Sequence, residues 1–136
     1  MNAEAFLRAR LFDVFIGDWD RHRDQWRWAR YDDQLPRQYR PVPLDRDQAF
    51  AKYDGLMLSI ARQTSPQLTN FGDGYSAPVG AVWNGRDLDR RYLVGLEQPS
   101  WDEAARELQA ALTDSAIESA VLALPPQHYE LIGVRL

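Results

Sequence analysis

"IGDWDRHRDQWRW", residues 16–28, decides how this chain is read. Asp18, Asp20 and Asp24 alternate with Arg21, Arg23 and Arg27 beside Trp19, Trp26 and Trp28, and Gly17 is the only turn residue among them. Upstream, Phe6, Leu7, Leu11, Val14 and Phe15 recur at helical spacing, with Arg8, Arg10 and Asp13 between them. That periodicity predicts a helix over 3–16 with a broad buried face, stopped by Gly17. Residues 17–24 are too polar and charge-dense to continue it and read as a loop. "QWRWARY" (25–31) then alternates, which puts Trp26 and Trp28 on one face of a strand.

Farther along, "DDQLPRQ" reads as a connection and "YRPVPL" (39–44) as a second extended segment, confined by Pro41 and Pro43 to an edge or an irregular strand. A short helical stretch is expected in "QAFAKY" (48–53) and a fuller helix over 53–63. Residues 64–80 carry Pro66, Gly72, Gly74, Pro78 and Gly80 and read as a long loop. Helices are expected near 83–95, 101–112 and 114–123, the last capped by Thr113, and "LPP" (124–126) stops it. "YELIGVRL" (129–136) reads as a short strand or a helical end. The predicted class is α+β: a helix, a two-stranded hairpin and a helical C-terminal half. It forms a single domain over 1–136, with 1–50 carrying the acidic segment and 51–136 mainly helical.

Composition narrows the function. With 136 residues, 45% of them apolar and 26% charged, the chain has the makings of one globular domain with a real core. A net charge of −4 argues against a nucleic-acid or membrane-surface binder, because phosphate attraction needs a positive face. Basic charge is almost all arginine, Lys52 being the only lysine, and no cysteine is present for disulfides or thiolate metal sites. No stretch is long and apolar enough to insert in a bilayer, and "MNAEAFLRAR" lacks the basic-then-apolar order of a secretion signal. As it stands the chain is expected in the cytoplasm, or at the envelope if it belongs to a larger protein.

Geometry gives the acidic residues a meaning. Both strands of a hairpin end on the same side, so the 17–24 loop and Asp45 are expected side by side. Asp18, Asp20, Asp24, Asp45 and Asp47 would gather in one region, where carboxylates repel unless cations neutralise them. Mg²⁺ or Mn²⁺ is the hard cation that carboxylates bind, and Arg21, Arg23 and Arg46 would contribute positive charge. The plainer reading is a solvated acidic turn with weak ion pairs, over tryptophans that belong to the core.

Phosphoryl transfer on a kinase-like scaffold needs such a pairing. A catalytic-loop aspartate takes the proton of the attacking hydroxyl, an amide five residues later holds a metal, and a second aspartate beyond a hairpin holds it against the nucleotide phosphates. Gln25 stands five positions after Asp20, and Asp45 follows the hairpin. "DRHRDQW" (20–26) resembles the D-R-H/G-x-D-N pattern of phosphoinositide-kinase-like enzymes. "PVPLDRDQAF" (41–50) is similar to the segment of spore-coat-protein-H-type kinases in which a proline precedes an Asp-x-Asp and an aromatic follows. The stretch also resembles a segment of large bacterial envelope-associated proteins.

The likeness covers residues 12–50. It implies Asp20 as the base, with Arg21 and His22 supporting the loop or binding a phosphate. It implies Gln25, Asp45 and Asp47 as ligands of Mg²⁺ or Mn²⁺ carrying ATP. Gln25 replaces the usual asparagine and reaches one methylene farther, so Asp24 is a substitute ligand. The family's N-terminal lobe, with its phosphate-covering loop and strand lysine, has no counterpart before Asp20, and Lys52 lies on the wrong side of the motif. The resemblance therefore implies the C-terminal lobe portion of a kinase-like fold, inactive without that lobe or a larger polypeptide. Its partners would be a nucleotide and an unidentified hydroxyl acceptor.

Two other classes compete. "DWD" and "DRD" are Asp-x-Asp pairs that a metal-dependent hydrolase or glycosyl transferase could use to clamp a metal–phosphate, with His22 as ligand or acid. His128 reads as surface or packing. A non-catalytic interaction domain would instead turn Trp19 and Trp26 toward a partner.

Overall fold

A computed structural model describes residues 1–30, 38–52, 55–75 and 78–127. Helix α1 (Ala3–Phe15) begins where the Asn2 side chain accepts the Ala5 N–H at 2.8 Å. It ends at Gly17, whose φ is +74°. The Gly17 N–H donates to the Val14 carbonyl at 3.1 Å and the Asp18 N–H to the Asp13 carbonyl at 2.8 Å, the paired backward bonds of a Schellman stop. The Tyr75 hydroxyl adds a third donor at this end, 2.6 Å from the Val14 oxygen. A Cβ at position 17 would lie 3.1 Å from the Phe71 ring and 3.2 Å from the Tyr75 hydroxyl, so both backbone and space demand glycine.

The chain leaves this stop through a single 3-10 turn at Arg23–Gln25 and enters β1 (Trp26–Arg30), which pairs antiparallel with β2 (Tyr39–Pro43). Trp26 lies opposite Pro43 and Trp28 opposite Pro41. The Leu44 N–H donates to the Gln25 carbonyl at 2.9 Å, so by strand alternation Pro41 and Pro43 fall where an N–H would face away from β1. On that outward side the Tyr39 carbonyl accepts the Asn2 N–H at 2.9 Å. Residues 31–37, most of the expected connection, lie outside the described residues.

Among the described residues five further helices follow: α2 (Leu56–Ala61), α3 (Pro78–Val82), α4 (Arg86–Tyr92), α5 (Gln98–Ala111) and α6 (Asp114–Leu122). The α+β class, with a helix, a two-stranded hairpin and further helices after it, is as the sequence predicts. Helix α6 begins at Thr113, whose hydroxyl accepts the Ala116 N–H at 3.2 Å. Several boundaries differ. Residues 47–50 are turns in place of a short helix, the 53–63 helix shortens to α2, the supposed 64–80 loop ends in α3, the 83–95 helix shortens to α4 with turns at 83–85 and 93–95, and α5 begins at Gln98 instead of 101. Pro78 and Pro99 account for two of these, because proline suits the first turn of a helix although it breaks the interior. Tyr53 and Asp54, placed in the expected 53–63 helix, and residues 128–136, including His128 and "YELIGVRL", lie outside the described residues.

The core is Phe6, Leu7, Trp26, Leu88, Leu93 and Ala104, where α1 meets the hairpin, α4 and α5. Trp26 and Trp28 stack on one face of β1 at 6.3 Å, and Phe6 meets the Trp26 ring edge-on at 4.9 Å. Trp26 is buried, as the packing reading of the tryptophans expects and against the partner-facing place that the interaction-domain alternative gives it. The buried stripe of α1 also differs from the expected one. Phe15 is exposed, whereas Arg10 and Asp13 are buried in line with Phe6. Gly17→Ala is expected to lower unfolding free energy by about 1–2 kcal/mol in urea titrations, the cost of left-handed backbone for a residue with a Cβ.

Candidate functional site

The stop of α1 creates the electrostatic problem that organises the site. A Schellman turn brings its third-last helical residue against the second residue beyond the cap, usually as an apolar contact. Here those residues are Asp13 and Asp18, both buried. Arg21, with none of its surface exposed, resolves the conflict: Nε donates to Asp13 Oδ2 at 3.1 Å, and Nη1 lies 3.3 Å from Asp18 Oδ2. Arg46 reaches the other Asp13 oxygen, Nη2 donating to Oδ1 at 3.1 Å. Arg10 lies 3.6 Å from Asp13 and forms a two-pronged pair with Asp89 of α4 at 2.8 and 3.0 Å. Arg10, Arg21 and Arg46 thus balance Asp13, Asp18 and Asp89.

Burial raises the pKa of Asp13 above the ordinary value, against the pull of Arg21, Arg10 and Arg46. Asp18 is shifted from 3.8 to about 6, first by burial and then by the nearby charges of Asp13 and Asp20, with Arg21 and Arg46 opposing. Its Oδ2 receives no hydrogen bond among the described residues, which leaves it the less well satisfied of the two. The folded chain therefore binds the Asp18 proton more tightly than the unfolded chain does. The resulting stabilisation is complete below about pH 4 and is lost as pH rises through about 6, a swing of about 2–3 kcal/mol. Asp18→Asn is expected to flatten the dependence of unfolding free energy on pH between 4 and 7. Arg21→Met, which leaves buried Asp18 without its ion-pair partner and Asp13 with Arg46 and Arg10 alone, is expected to cost about 3–5 kcal/mol in the same assay.

Arg21 also joins two distant segments. Nη1 donates to the carbonyls of Leu44 at 2.6 Å and Asp45 at 2.7 Å, Nη2 donates to the Gln25 carbonyl at 3.2 Å, and the Trp26 ring lies 4.6 Å beneath the guanidinium. The planar five-donor fork of arginine suits this task where lysine would not. Loop 17–24 and the exit of β2 are thereby side by side, as hairpin geometry predicts. The Arg21 guanidinium is fully buried, and these carbonyls and carboxylates occupy its donors.

The remaining expected site residues surround this fork. Asp20 is partly exposed: its Oδ1 accepts the Asn84 side-chain amide at 2.9 Å, and its Oδ2 is 3.8 Å from His22 Nε2. His22 Nδ1 accepts the Asp24 N–H at 3.3 Å, so its neutral form carries the proton on Nε2, toward Asp20. Asp24, the substitute ligand, is 91% exposed at its side chain. Asp45 adopts φ +41°, and its Oδ1 accepts the Asp47 N–H at 3.3 Å, so the Asp45 side chain caps its own turn. Asp45, Asp47 and Arg23 are exposed.

Of the five carboxylates expected to gather in one region, Asp18 is committed to Arg21. Among the described residues no three His, Cys, Asp or Glu side chains converge where they could hold a metal ion. The described residues thus offer no ready-made cage. Gln25 at the entry of the hairpin and Asp45 and Asp47 at its exit all bear oxygen donors. Oxygen is the donor type Mg²⁺ takes, commonly from one or two carboxylates with its other positions left to water and phosphate.

Comparison with protein-family models, with curated proteins and with solved structures gives no match. The site therefore rests on its own geometry. Sequence reading missed Arg10, Asp13, Asp89 and Asn84. For the first two a signal existed, because Phe6, Arg10 and Asp13 recur at the spacing of one helical face.

Proposed function

We propose that this chain is the acceptor- and metal-binding portion of a kinase-like phosphotransferase. The observation that supports it is the Arg21 fork, which holds the loop of Asp20 against the turn of Asp45 although 25 positions separate them in sequence (45 − 20). In this reading Asp20 accepts the proton of an acceptor hydroxyl as its oxygen bonds to phosphorus and the bond to the leaving phosphate oxygen breaks. His22 lies beside it to bind the transferred phosphate or support the loop, and Gln25, Asp45 and Asp47 would hold the metal–nucleotide. The divalent ion, when bound, neutralises charge on the phosphates. A phosphate-covering lobe is supplied from outside these residues.

Titration calorimetry with MgATP tests the metal assignment. Binding by the wild type and loss of at least about tenfold in affinity in Asp45→Ala are expected, in line with the cost of disturbing a metal's supporting groups. Equal binding, or none in either, overturns the assignment. Phosphate released to water with none passed to a hydroxyl would move the chain to the hydrolase class.

An interaction domain is the second reading, favoured by α2, where Leu56 is 78% exposed, Met57 81% and Ile60 56%. In that case Asp20→Ala leaves function intact and Met57→Glu removes it.

A further inference from the structure

We infer that Asn84 is a positioning residue for Asp20, an inference that rests on the proposed role of Asp20 as base. Asn84 lies between α3 and α4, 64 positions from Asp20. The side-chain amide Nδ2 donates to Asp20 Oδ1 at 2.9 Å. A carboxylate on a loop otherwise rotates freely about two side-chain torsions. Fixing Oδ1 leaves Oδ2 as the oxygen available to take a proton, on the side facing His22. An amide is suited to this work because it orients the carboxylate without cancelling its charge. A lysine or arginine at 84 would form an ion pair with the base and weaken it as a proton acceptor.

The structure braces Asn84 from both sides. Arg86 Nη1 donates back to the Trp83 carbonyl at 2.6 Å, closing the turn around Asn84, and the guanidinium lies 4.6 Å from the Trp83 ring. Gly85, the next residue, lies against Arg10: a Cβ there would come within 2.5 Å of Nη2 and 2.8 Å of Cζ. Arg10 cannot swing aside easily, since it is 3% exposed and forked onto Asp89. The turn carrying Asn84 is therefore clamped to α1 by the same helix face that carries Asp13. Asp20 is held from within its loop through Arg21 and from outside through Asn84, and both supports lead back to α1. In this way the helical C-terminal half, which carries no recognisable motif, contributes to the site.

The test reads the Asp20 rotamer directly. In the wild type the Hα–Hβ couplings of Asp20 are expected to report one fixed side-chain rotamer. In Asn84→Ala they are expected to average while the couplings of Asp13 stay unchanged. Asp20→Asn/Asn84→Asp exchanges amide and carboxylate, and it should recover most of the loss in melting temperature that Asn84→Asp causes through charge repulsion. Fixed Asp20 couplings in Asn84→Ala, or additive effects in the exchange, overturn the positioning role. Phosphoryl transfer from MgATP, measured with the chain in the assembly that supports it, is expected to fall about 100-fold in kcat in Asn84→Ala with KM unchanged. If the wild type transfers no phosphate but its couplings respond as expected, the phosphotransferase reading fails and the Asn84–Asp20 support stands.

Discussion

Arg21 lying between Asp13 and Asp18 is the interaction on which the rest of the structure depends. The helix stop forces those two carboxylates together, and neither has water to disperse its charge. A guanidinium must therefore enter, and its remaining N–H groups must find acceptors inside the protein. They find the carbonyls of Gln25, Leu44 and Asp45. Helix end, loop and hairpin exit are consequently fixed by one side chain, and the exposed groups of the candidate site are arranged around it.

The acidic stretch accordingly divides its labour. Asp18 serves the interior and is kept there by Arg21, while Asp20, two residues on, reaches the surface with one oxygen held by Asn84. Asp45 shows a similar division within a single residue, its carbonyl bound to Arg21 and its carboxylate exposed over its own turn. Density of charge in the sequence thus reflects two separate demands, one for an ionic core and one for an accessible cluster of oxygen atoms.

Much of this was legible before any coordinates. Gly17, Thr113 and the alternating tryptophans each act through local backbone chemistry, so the helix stop, the last helix and the hairpin could be read from neighbouring residues. The buried ions were not read, because polar residues within an apolar helical pattern are taken by default for its wet face. Only the shared spacing of Phe6, Arg10 and Asp13 argues otherwise. Asn84 gave no local signal at all: its meaning comes from a partner on a distant loop, and nothing in "VWNGRD" marks a donor as special. Pro78 misled for the opposite reason, since proline breaks a helix interior yet opens a helix well.

The hairpin carries one more consequence. A two-stranded ribbon normally offers its outer rim as a template for another chain. Along β2 that rim lacks amide hydrogens at Pro41 and Pro43, and the carbonyl of Tyr39 is already taken by the backbone of Asn2. A third strand could not zip onto that side, so the ribbon resists runaway self-assembly there, and any extension of the sheet would have to grow from β1.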